Sequence, residues 1–395
     1  MTTPILLLNC GSSSIKYQVI DGDSEQVAAS GIIQRIGQAS GTLDHTYQGH
    51  DHHLDADFAD HAAALDQLVK VFAEFGPNLD EVRAVGHRTV HGGEAFRSTV
   101  VIDDAVLDKL RELSPLAPLH NPPGIAGIEA ARAVLPDVPH VAIFDTAFFA
   151  TLPAEAYTYA IDKDVARTHA VRKYGFHGTS HSYVSQKVAE VLGRPYDGLN
   201  QIVCHLGNGA SISAIRDGVA VETSMGLTPL AGLVMGTRSG DVDPGLHAYL
   251  GRVLDLDLVG VDDLLNKRSG MLGLAGATDF RDINSLIESG DADARLAMDV
   301  YVHRLVSYIG SYLAVLGHVD ALTFTAGVGE NDALVRSEVV TRLEPLGFWL
   351  DAEANAVRSK QPRVISRPGS PVTVLVVPTN EELAMARETM AAIGG

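Results

Sequence analysis

A chain of 395 residues, 46% apolar and 20% charged, holds enough material for two or three ordinary domains with sizeable cores. Its formal net charge of −19 argues against a general binder of nucleic acid or anionic membrane, which needs a basic face, but leaves room for a small basic pocket. Its two cysteines, Cys10 and Cys204, lie in apolar strand-like contexts, so no disulfide framework is expected and a reducing, cytoplasmic setting fits. The start, MTTPILLLNCGSSS, has no basic n-region, and no apolar run approaches ~18 residues, so neither a signal peptide nor a membrane span is expected.

In chain order, the first element is the apolar run Ile5–Leu8, a strand that stops at Asn9. Gly11-Ser12-Ser13-Ser14 follows, alternation resumes at Ile15, and Lys16 lies just beyond. A plain hairpin turn prefers Asn-Gly or Asp-Gly. Three hydroxyls and an ammonium suit an anion instead, because exposed N–H groups and hydroxyls can cradle phosphate. Flexible turns carry the same residues, so this loop alone leaves both readings open, and there is no GxxxxGK[ST] motif. Asn9 either orients a metal's water or caps the turn. Leu65, Leu68, Val69 and Phe72 have helical spacing within Phe58–Phe75. "GHRTVHGGE" sets Arg88 in a short segment closed by two glycines. Pro122-Pro123 opens a helix over Gly124–Val134. The strand Val141–Phe144 ends in Asp145, where an acidic residue commonly faces a crevice or caps the next element. A domain boundary is expected near 148–155, dividing the chain into 1–150 and 151–382.

Thr179 or Ser180 is expected to cap a helix running to Leu192, with Gly193 as its stop. The strand Ile202–Leu206 opens into "HLGNGAS", His205–Ser211, a second candidate anion loop. "LVMGTRSGDVDPG" sets Arg238 among small residues. An arginine in a glycine-rich loop gains little from packing, and its planar fork suits a carboxylate or phosphate. For Arg88 and Arg238 alike, the alternative is a surface salt bridge. A long helix covers Ala294–Leu316. The strand Leu322–Phe324 leads into "FTAGVGEN", Phe324–Asn331, read as a third glycine-rich turn before a helix beginning near Asp332. Val372–Val377 is the last strand. Three such turns, each at a strand end, point to a nucleotide, and the alternation of strands with helices indicates an α/β fold with mixed sheets. His87/His91 and His177/His181 have i,i+4 spacing, but Gly92-Gly93 and Gly178 beside them spoil a zinc-binding helix.

"LLLNCGSSSIKYQVIDG" and "IVCHLGNGASISAIRDG" superpose at an offset of 196 residues. Gly11 meets Gly207, Asp21 meets Asp217 and Gly22 meets Gly218. The match is imperfect: alternation after the loop is out of phase, with Ile15 opposite Ser211. Chance similarity between two hairpins and a duplicated phosphate hairpin, one per domain across a cleft, both remain open on these residues.

"NCGSSSIKY", "GHRTVHGG", "FDTAFF", "YGFHGTSH", "HLGNGAS", "MGTRSGDVDPG", "FTAGVGEN" and "PTNEEL" occur in this order over nearly the whole chain. The set resembles the acetate/propionate/butyrate kinase family, of the actin/hexokinase/heat-shock-kinase superfold. That resemblance implies an α/β fold of two duplicated ribonuclease-H-like (actin-like ATPase) domains, with mixed sheets and an interdomain nucleotide cleft. The N-terminal half, joined by the C-terminal helix 383–395, would bind the acid, and the C-terminal half the nucleotide. It implies phosphoryl transfer from ATP to acetate, giving ADP and acetyl phosphate, with propionate as the alternative acceptor. Mg²⁺, or Mn²⁺ in its place, would be held by Asn9 and Glu381 through waters. Lys16 and His205, Leu206, Gly207, Asn208 and Gly209 would handle the phosphates. Asp279, Phe280 and Arg281, with Gly327, Val328, Gly329, Glu330 and Asn331, would enclose adenosine. Arg88 would bind the acetate carboxylate, and Val90, Leu119, Phe176 and Pro229 would line the methyl pocket, with His120 nearby. His177 and Arg238 would hold the transferring phosphoryl group, with Asp145 as the active-site acid. The resemblance further implies a homodimer in the cytoplasm, with no nucleic-acid or membrane partner.

A carboxylic acid is ionised at neutral pH, since such groups titrate near ~4, so acetate needs no general base. For Asp145, orienting Mg²⁺ waters or an arginine is at least as good a role as acid–base work. Phe149 departs from the family, whose members often carry His there, and would make the lining near Asp145 drier. Two other classes compete: a sugar or polyol kinase of the same superfold, for which Asp145 would be the base, and a non-catalytic actin-like or chaperone-like ATPase.

Overall fold

The computed structural model describes residues 3–118 and 120–394. The chain divides into two compact units, one formed by residues up to Ala150 together with Asn380 onward, the other by Thr151–Thr379. Among the described residues no helix is long and apolar enough to cross a membrane.

The first unit carries β1 (Pro4–Cys10), β2 (Ser14–Asp21), β3 (Val27–Gln34), β4 (Gly41–Tyr47), β5 (His50–Ala56), β6 (Ala84–Thr89), β7 (Val100–Val101) and β8 (His140–Phe144). They form one sheet in the order β5-β4-β3-β2-β1-β6-β8-β7. The β1–β5 meander is antiparallel, while β1, β6 and β8 run parallel. Strand β1 is a continuous apolar run because both of its faces are covered. Ile5 and Leu7 pack with Val141, Ile143 and the C-terminal helix residues Met385 and Ala386. Leu6 and Leu8 pack with Leu65, Leu68 and Phe72 of the helix His61–Phe75. That helix begins later than its apolar spacing suggests, because the Asp60 carboxylate accepts from Ala63 N and caps it. The helix Asn121–Val134 lies close to the end of β1: a Cβ at Gly127 would overlap the Cys10 sulfur.

The second unit carries β9 (Asn200–Leu206), β10 (Ala210–Arg216), β11 (Val219–Thr223), β12 (Ala321–Thr325), β13 (Arg363–Val364) and β14 (Thr373–Val376), in the order β11-β10-β9-β12-β14-β13. Without β4 and β5, the pattern of the first sheet is repeated: three antiparallel strands, then two parallel to the first, then a short antiparallel edge. The helix Ala292–Leu316 buries Met298, Tyr301, Val302, Leu305 and Ile309.

The repeat noticed in the sequence is a structural one. Strand β1 shifted by 196 residues coincides with β9. The phase change has a geometric cause. In the first hairpin Cys10 faces Ile15 across a four-residue connection, Gly11–Ser14; in the second, Leu206 faces Ala210 across three, Gly207–Gly209. One residue fewer in the turn slips the returning strand by one, which exchanges the faces of its side chains at a fixed offset.

Candidate active site

In the first unit the parallel pairing of β6 with β8 sets Thr89 opposite Phe144, so Arg88 and Asp145 emerge at the same strand ends. The guanidinium grips Asp145 with both forks: Nε donates to Oδ1 at 3.0 Å and Nη2 to Oδ2 at 2.8 Å. Asp145 is buried and Arg88 half-buried. The neighbouring Asp145 charge holds the guanidinium above its ordinary pKa. Two of its five N–H groups are spent, so the remaining donors can bind a second carboxylate. Glu381 Oε2 stands 3.9 Å from Arg88 Nη2, at the start of the C-terminal helix, where Asn380 caps Leu383 N. Burial pushes the Glu381 carboxyl upward, and Asp145 and Glu382 add to that push. Lys16 forms an ion pair with Glu382 at 2.5 Å and sits across from Asn9 in the β1–β2 pairing. Asn9, Lys16, Arg88, Glu381 and Glu382 border a recess of about 30 Å³, the room of one water. The hydroxyls of Ser12, Ser13 and Ser14 have no hydrogen-bond partner among the described residues.

Val90 follows β6 directly, and its segment is pinned by Asn121. The Asn121 Oδ1 accepts from His91 N and its Nδ2 donates to His91 O, at 3.2 and 3.1 Å. This brings His120, just before Asn121, to the same strand edge. Leu119 lies outside the described residues. Phe149 is fully buried in the turn after Asp145.

In the second unit the helix Gly178–Leu192 begins directly after His177, which occupies the cap in the left-handed region at φ 61°. Thr179 and Ser180 do not cap it. Both are buried inside its first turn, and Ser180 Oγ bonds His205 Nδ1 and Thr379 Oγ1 at 2.8 Å each. A non-glycine residue in this backbone region is uncommon and marks a position held by its surroundings. The His177 ring stacks on His205 at 4.3 Å and its Nδ1 meets Ser211 Oγ at 2.9 Å. Its other nitrogen looks over Gly209: a Cβ built there would stand 3.4 Å from His177 Nε2 and 3.6 Å from Arg238 Nη1. Arg238 Nη1 donates to Pro229 O at 2.9 Å, and the guanidinium has no carboxylate partner among the described residues. Burial lowers its pKa from the ordinary arginine value, yet a guanidinium still carries its charge at neutral pH. Phe176 is buried and Pro229 half-buried.

A cavity of about 520 Å³ opens beside this point, lined by Gly207, Asn208, Phe280, Arg281, Val328 and Asn331 among others. Gly327 and Asp279 also border it; the Asp279 carboxylate caps the helix Phe280–Glu288 and is bridged by Arg281, which holds its pKa down near 2. Thr278, Asp332 and Arg358 complete the wall; the motifs did not single out Thr278 or Arg358, and marked Asp332 only as a helix start. The segment read as an open glycine turn is a short helix, Ala326–Asn331, and Asp332 caps the next one. Gly329 and Glu330 do not line the cavity. The Gly329 carbonyl accepts from buried Arg336, and Glu330 Oε1 accepts from Ala326 N and Thr379 N. Those two residues shape the turn. Likewise Leu206 is fully buried and His205 nearly so.

A family model described as the acetokinase family matches residues 4–387. The acetate kinase of Clavibacter michiganensis subsp. michiganensis is 51% identical over 393 residues, covering 99% of both chains. The crystal structure of Porphyromonas gingivalis acetate kinase superposes with a TM-score of 0.95 at 44% identity, covering 99% of this chain and 100% of that one. A propionate kinase from Francisella tularensis subsp. tularensis SCHU S4 superposes with a TM-score of 0.93 at 39% identity, covering 98% and 99%.

Proposed function

This chain belongs to the acetokinase family, and we propose on that premise that it transfers the terminal phosphoryl group of ATP to acetate, giving ADP and acetyl phosphate, and catalyses the reverse. The observation that carries the reading is the meeting of Arg238, a half-buried cation without a carboxylate partner among the described residues, and His177 above Gly209.

The phosphoryl-transfer transition state is loose and spreads charge over its equatorial oxygens, so the protein chiefly positions and neutralises. Arg238 and His177 would take those oxygens, with the N–H groups and polar side chains of Gly207–Gly209 at the phosphates. The 520 Å³ cavity between Phe280–Arg281 and Gly327–Asn331 would take the adenosine. In the first unit, the donors that Arg88 keeps free of Asp145 would bind the acetate carboxylate, and Val90 would press on its methyl group. Acetate brings no proton to remove, so Asp145 acts by holding Arg88 in orientation. Both of its oxygens are engaged in that contact.

A divalent cation would sit at the mouth of the first unit's recess, which itself has room for one water. Asp145, Glu381 and Glu382 bring three carboxylates against two cations, Arg88 and Lys16, leaving one negative charge uncompensated. Mg²⁺ keeps most of its waters and takes few protein ligands, which suits Asn9 and Glu381. When bound it would neutralise charge on the transferring phosphate.

Tyr249, Val253, Leu254, Leu258 and Val259 form an exposed apolar face on the neighbouring helices Gly245–Leu254 and Leu258–Lys267. A second copy of the chain would cover it, giving a homodimer. Free, unpaired Cys10 and Cys204 suit a cytoplasmic location.

The test is acetyl phosphate trapped as its hydroxamate, measured with acetate, propionate and a sugar as acceptors. Acetate should lead in kcat/KM. ADP release independent of acetate would overturn the kinase reading, and a propionate preference would overturn the acceptor. Sedimentation of the purified protein checks the dimer.

A further inference from the structure

Apart from Arg216 at its exposed end, strand β10 is apolar except for two serines, Ser211 and Ser213, which are two residues apart and therefore on one face. Both are fully buried. Opposite them stand His177 and His181, four residues apart on the cap and first turn of the helix Gly178–Leu192. The four side chains form a continuous line. His177 Nδ1 lies 2.9 Å from Ser211 Oγ, His181 Nε2 lies 2.7 Å from the same oxygen, and His181 Nδ1 lies 2.8 Å from Ser213 Oγ. The far end of the line is His177 Nε2, beside Arg238 over Gly209.

A hydroxyl has one proton. Ser211 Oγ touches these two ring nitrogens and no other hydrogen-bond partner among the described residues, so to satisfy its one O–H it donates to one and accepts from the other. His181 is fully buried, and burial holds its pKa well below the ordinary value, so it is neutral with a single N–H. The line therefore has only two consistent settings, and they switch together. In one, Ser213 donates to His181 Nδ1, His181 Nε2–H donates to Ser211, and Ser211 donates to His177 Nδ1. The proton of neutral His177 is then on Nε2. In the other, every bond is reversed, His177 carries its proton on Nδ1, and the Ser213 O–H has nothing to donate to. Ser213 Oγ has His181 as its one hydrogen-bond partner among the described residues. An orphaned buried donor is unfavourable, so the first setting wins.

We propose that Ser211, His181 and Ser213 are positioning residues that fix His177 in the Nε2–H tautomer, so that it presents a donor and not a lone pair to the transferring phosphoryl group. This rests on the reading of His177 as a phosphoryl-holding group. The line moves no net proton, in keeping with a reaction whose nucleophile is already ionised. Among the groups facing the His177 ring are the stacked His205, Arg238 beside Nε2, and His181 through Ser211.

The direct test is nitrogen NMR of the wild-type protein labelled with ¹⁵N-histidine, with the His177 signals identified by their loss in His177→Gln. The expected result is a protonated Nε2 and a bare Nδ1 in both His177 and His181; the reverse pattern in either ring overturns the proposal. The kinetic test is Ser211→Ala, which cuts the line at His177 Nδ1. At pH 8 its kcat is expected to fall about tenfold with the KM for ATP and acetate changed less than about twofold. A wild-type kcat overturns the proposal. Should His177→Gln keep its kcat, the phosphoryl role of His177 fails instead, with the tautomer measurement unaffected.

Discussion

Gly209→Ala separates the geometry of the phosphoryl cradle from the stability of the fold. The new methyl carbon would stand 3.4 Å from His177 Nε2, 3.5 Å from His177 Cε1 and 3.6 Å from Arg238 Nη1, all ordinary van der Waals distances. Gly209 does not have a positive φ. Replacing glycine by alanine at a compatible backbone stabilises by roughly 0.4–1 kcal/mol through the unfolded state. The melting temperature should therefore hold or rise slightly. Catalysis should not survive so well. An oxygen that accepts from both nitrogens sits ~2.8 Å from each. A carbon 3.4–3.6 Å from the same two nitrogens occupies nearly that place, and carbon and oxygen do not approach much closer than ~3.3 Å. Each donor aimed at developing charge is worth about 10²–10³ in kcat, so losing both should cost at least ~10². The KM for ATP should change less, because the adenosine cavity is bounded by other segments. The assay is kcat and KM for acetyl phosphate formation, with calorimetry on the same sample. Undiminished kcat at an unchanged melting temperature would mean that the transferring group does not pass over Gly209. A large loss of stability would mean that the space above it is not open.

Arg238→Ala should lower kcat by roughly 10³ or more with a much smaller rise in the KM for acetate; a rise in KM alone would make Arg238 a ground-state anchor. Asp145→Asn removes the charge that orients Arg88, so the KM for acetate should rise several-fold with no loss of a basic limb from the pH–rate profile. Disappearance of that limb would restore Asp145 to acid–base work. Val90→Ala should improve propionate relative to acetate in kcat/KM by a few-fold to about a hundred-fold, one methylene being worth roughly 1–3 kcal/mol. An unchanged ratio would remove Val90 from the pocket. Glu381→Gln tests the carboxylate excess. Burial and the nearby carboxylates raise the folded pKa of Glu381 above its unfolded value, so the native state binds the proton more tightly. Its stabilising contribution is then full below the unfolded pKa and is lost as pH rises through the folded one. At pH 7 the neutral amide should therefore raise the melting temperature of the ligand-free protein, with no gain at pH 4, while Mg²⁺-dependent activity is lost. A lower melting temperature at pH 7 would show that Arg88 and Lys16 already compensate Glu381 fully.

Much of the sheet frame was readable from the residues, because strands covered on both faces leave continuous apolar runs such as Ile5–Leu8 and Ile202–Leu206, and their ends stand out as glycine-rich loops. Pairings distant in sequence were not readable. Arg88 meets Asp145 only because β6 and β8 run parallel in one register, and Asn121 pins His91 through side-chain bonds that no local pattern announces. Local rules also lost to tertiary demands at two places. Thr179 and Ser180 are better helix caps than His177, yet the Ser180 hydroxyl is engaged by His205 and Thr379. The FTAGVGEN segment has turn composition, yet Glu330 ties its side chain back to Ala326 N and closes a helix.

The imperfect hairpin repeat carried more information than a perfect one would have. At the fixed offset Ser211 falls opposite Ile15, a polar group against a core residue, which reads as a failed match. The cross-strand pairing supplies the correct equivalence. Asn9 is paired with Lys16, and the residue 196 positions after Asn9, His205, is paired with Ser211. After the one-residue slip, Ser211 answers to Lys16, and Ser213 to Gln18, on the same face of the hairpin. At the mouth of the first hairpin that face presents Asn9 and Lys16 beside Glu381 and Glu382. At the mouth of the second it presents His205 and Ser211 beside His177 and His181. One duplicated scaffold thus carries a set of carboxylates and cations in one unit and a histidine–serine hydrogen-bonding set in the other. The shortened turn between β9 and β10 is what makes the second set possible: restoring the missing residue would return Ser211 and Ser213 to the opposite face and remove the Ser211 contact from His177.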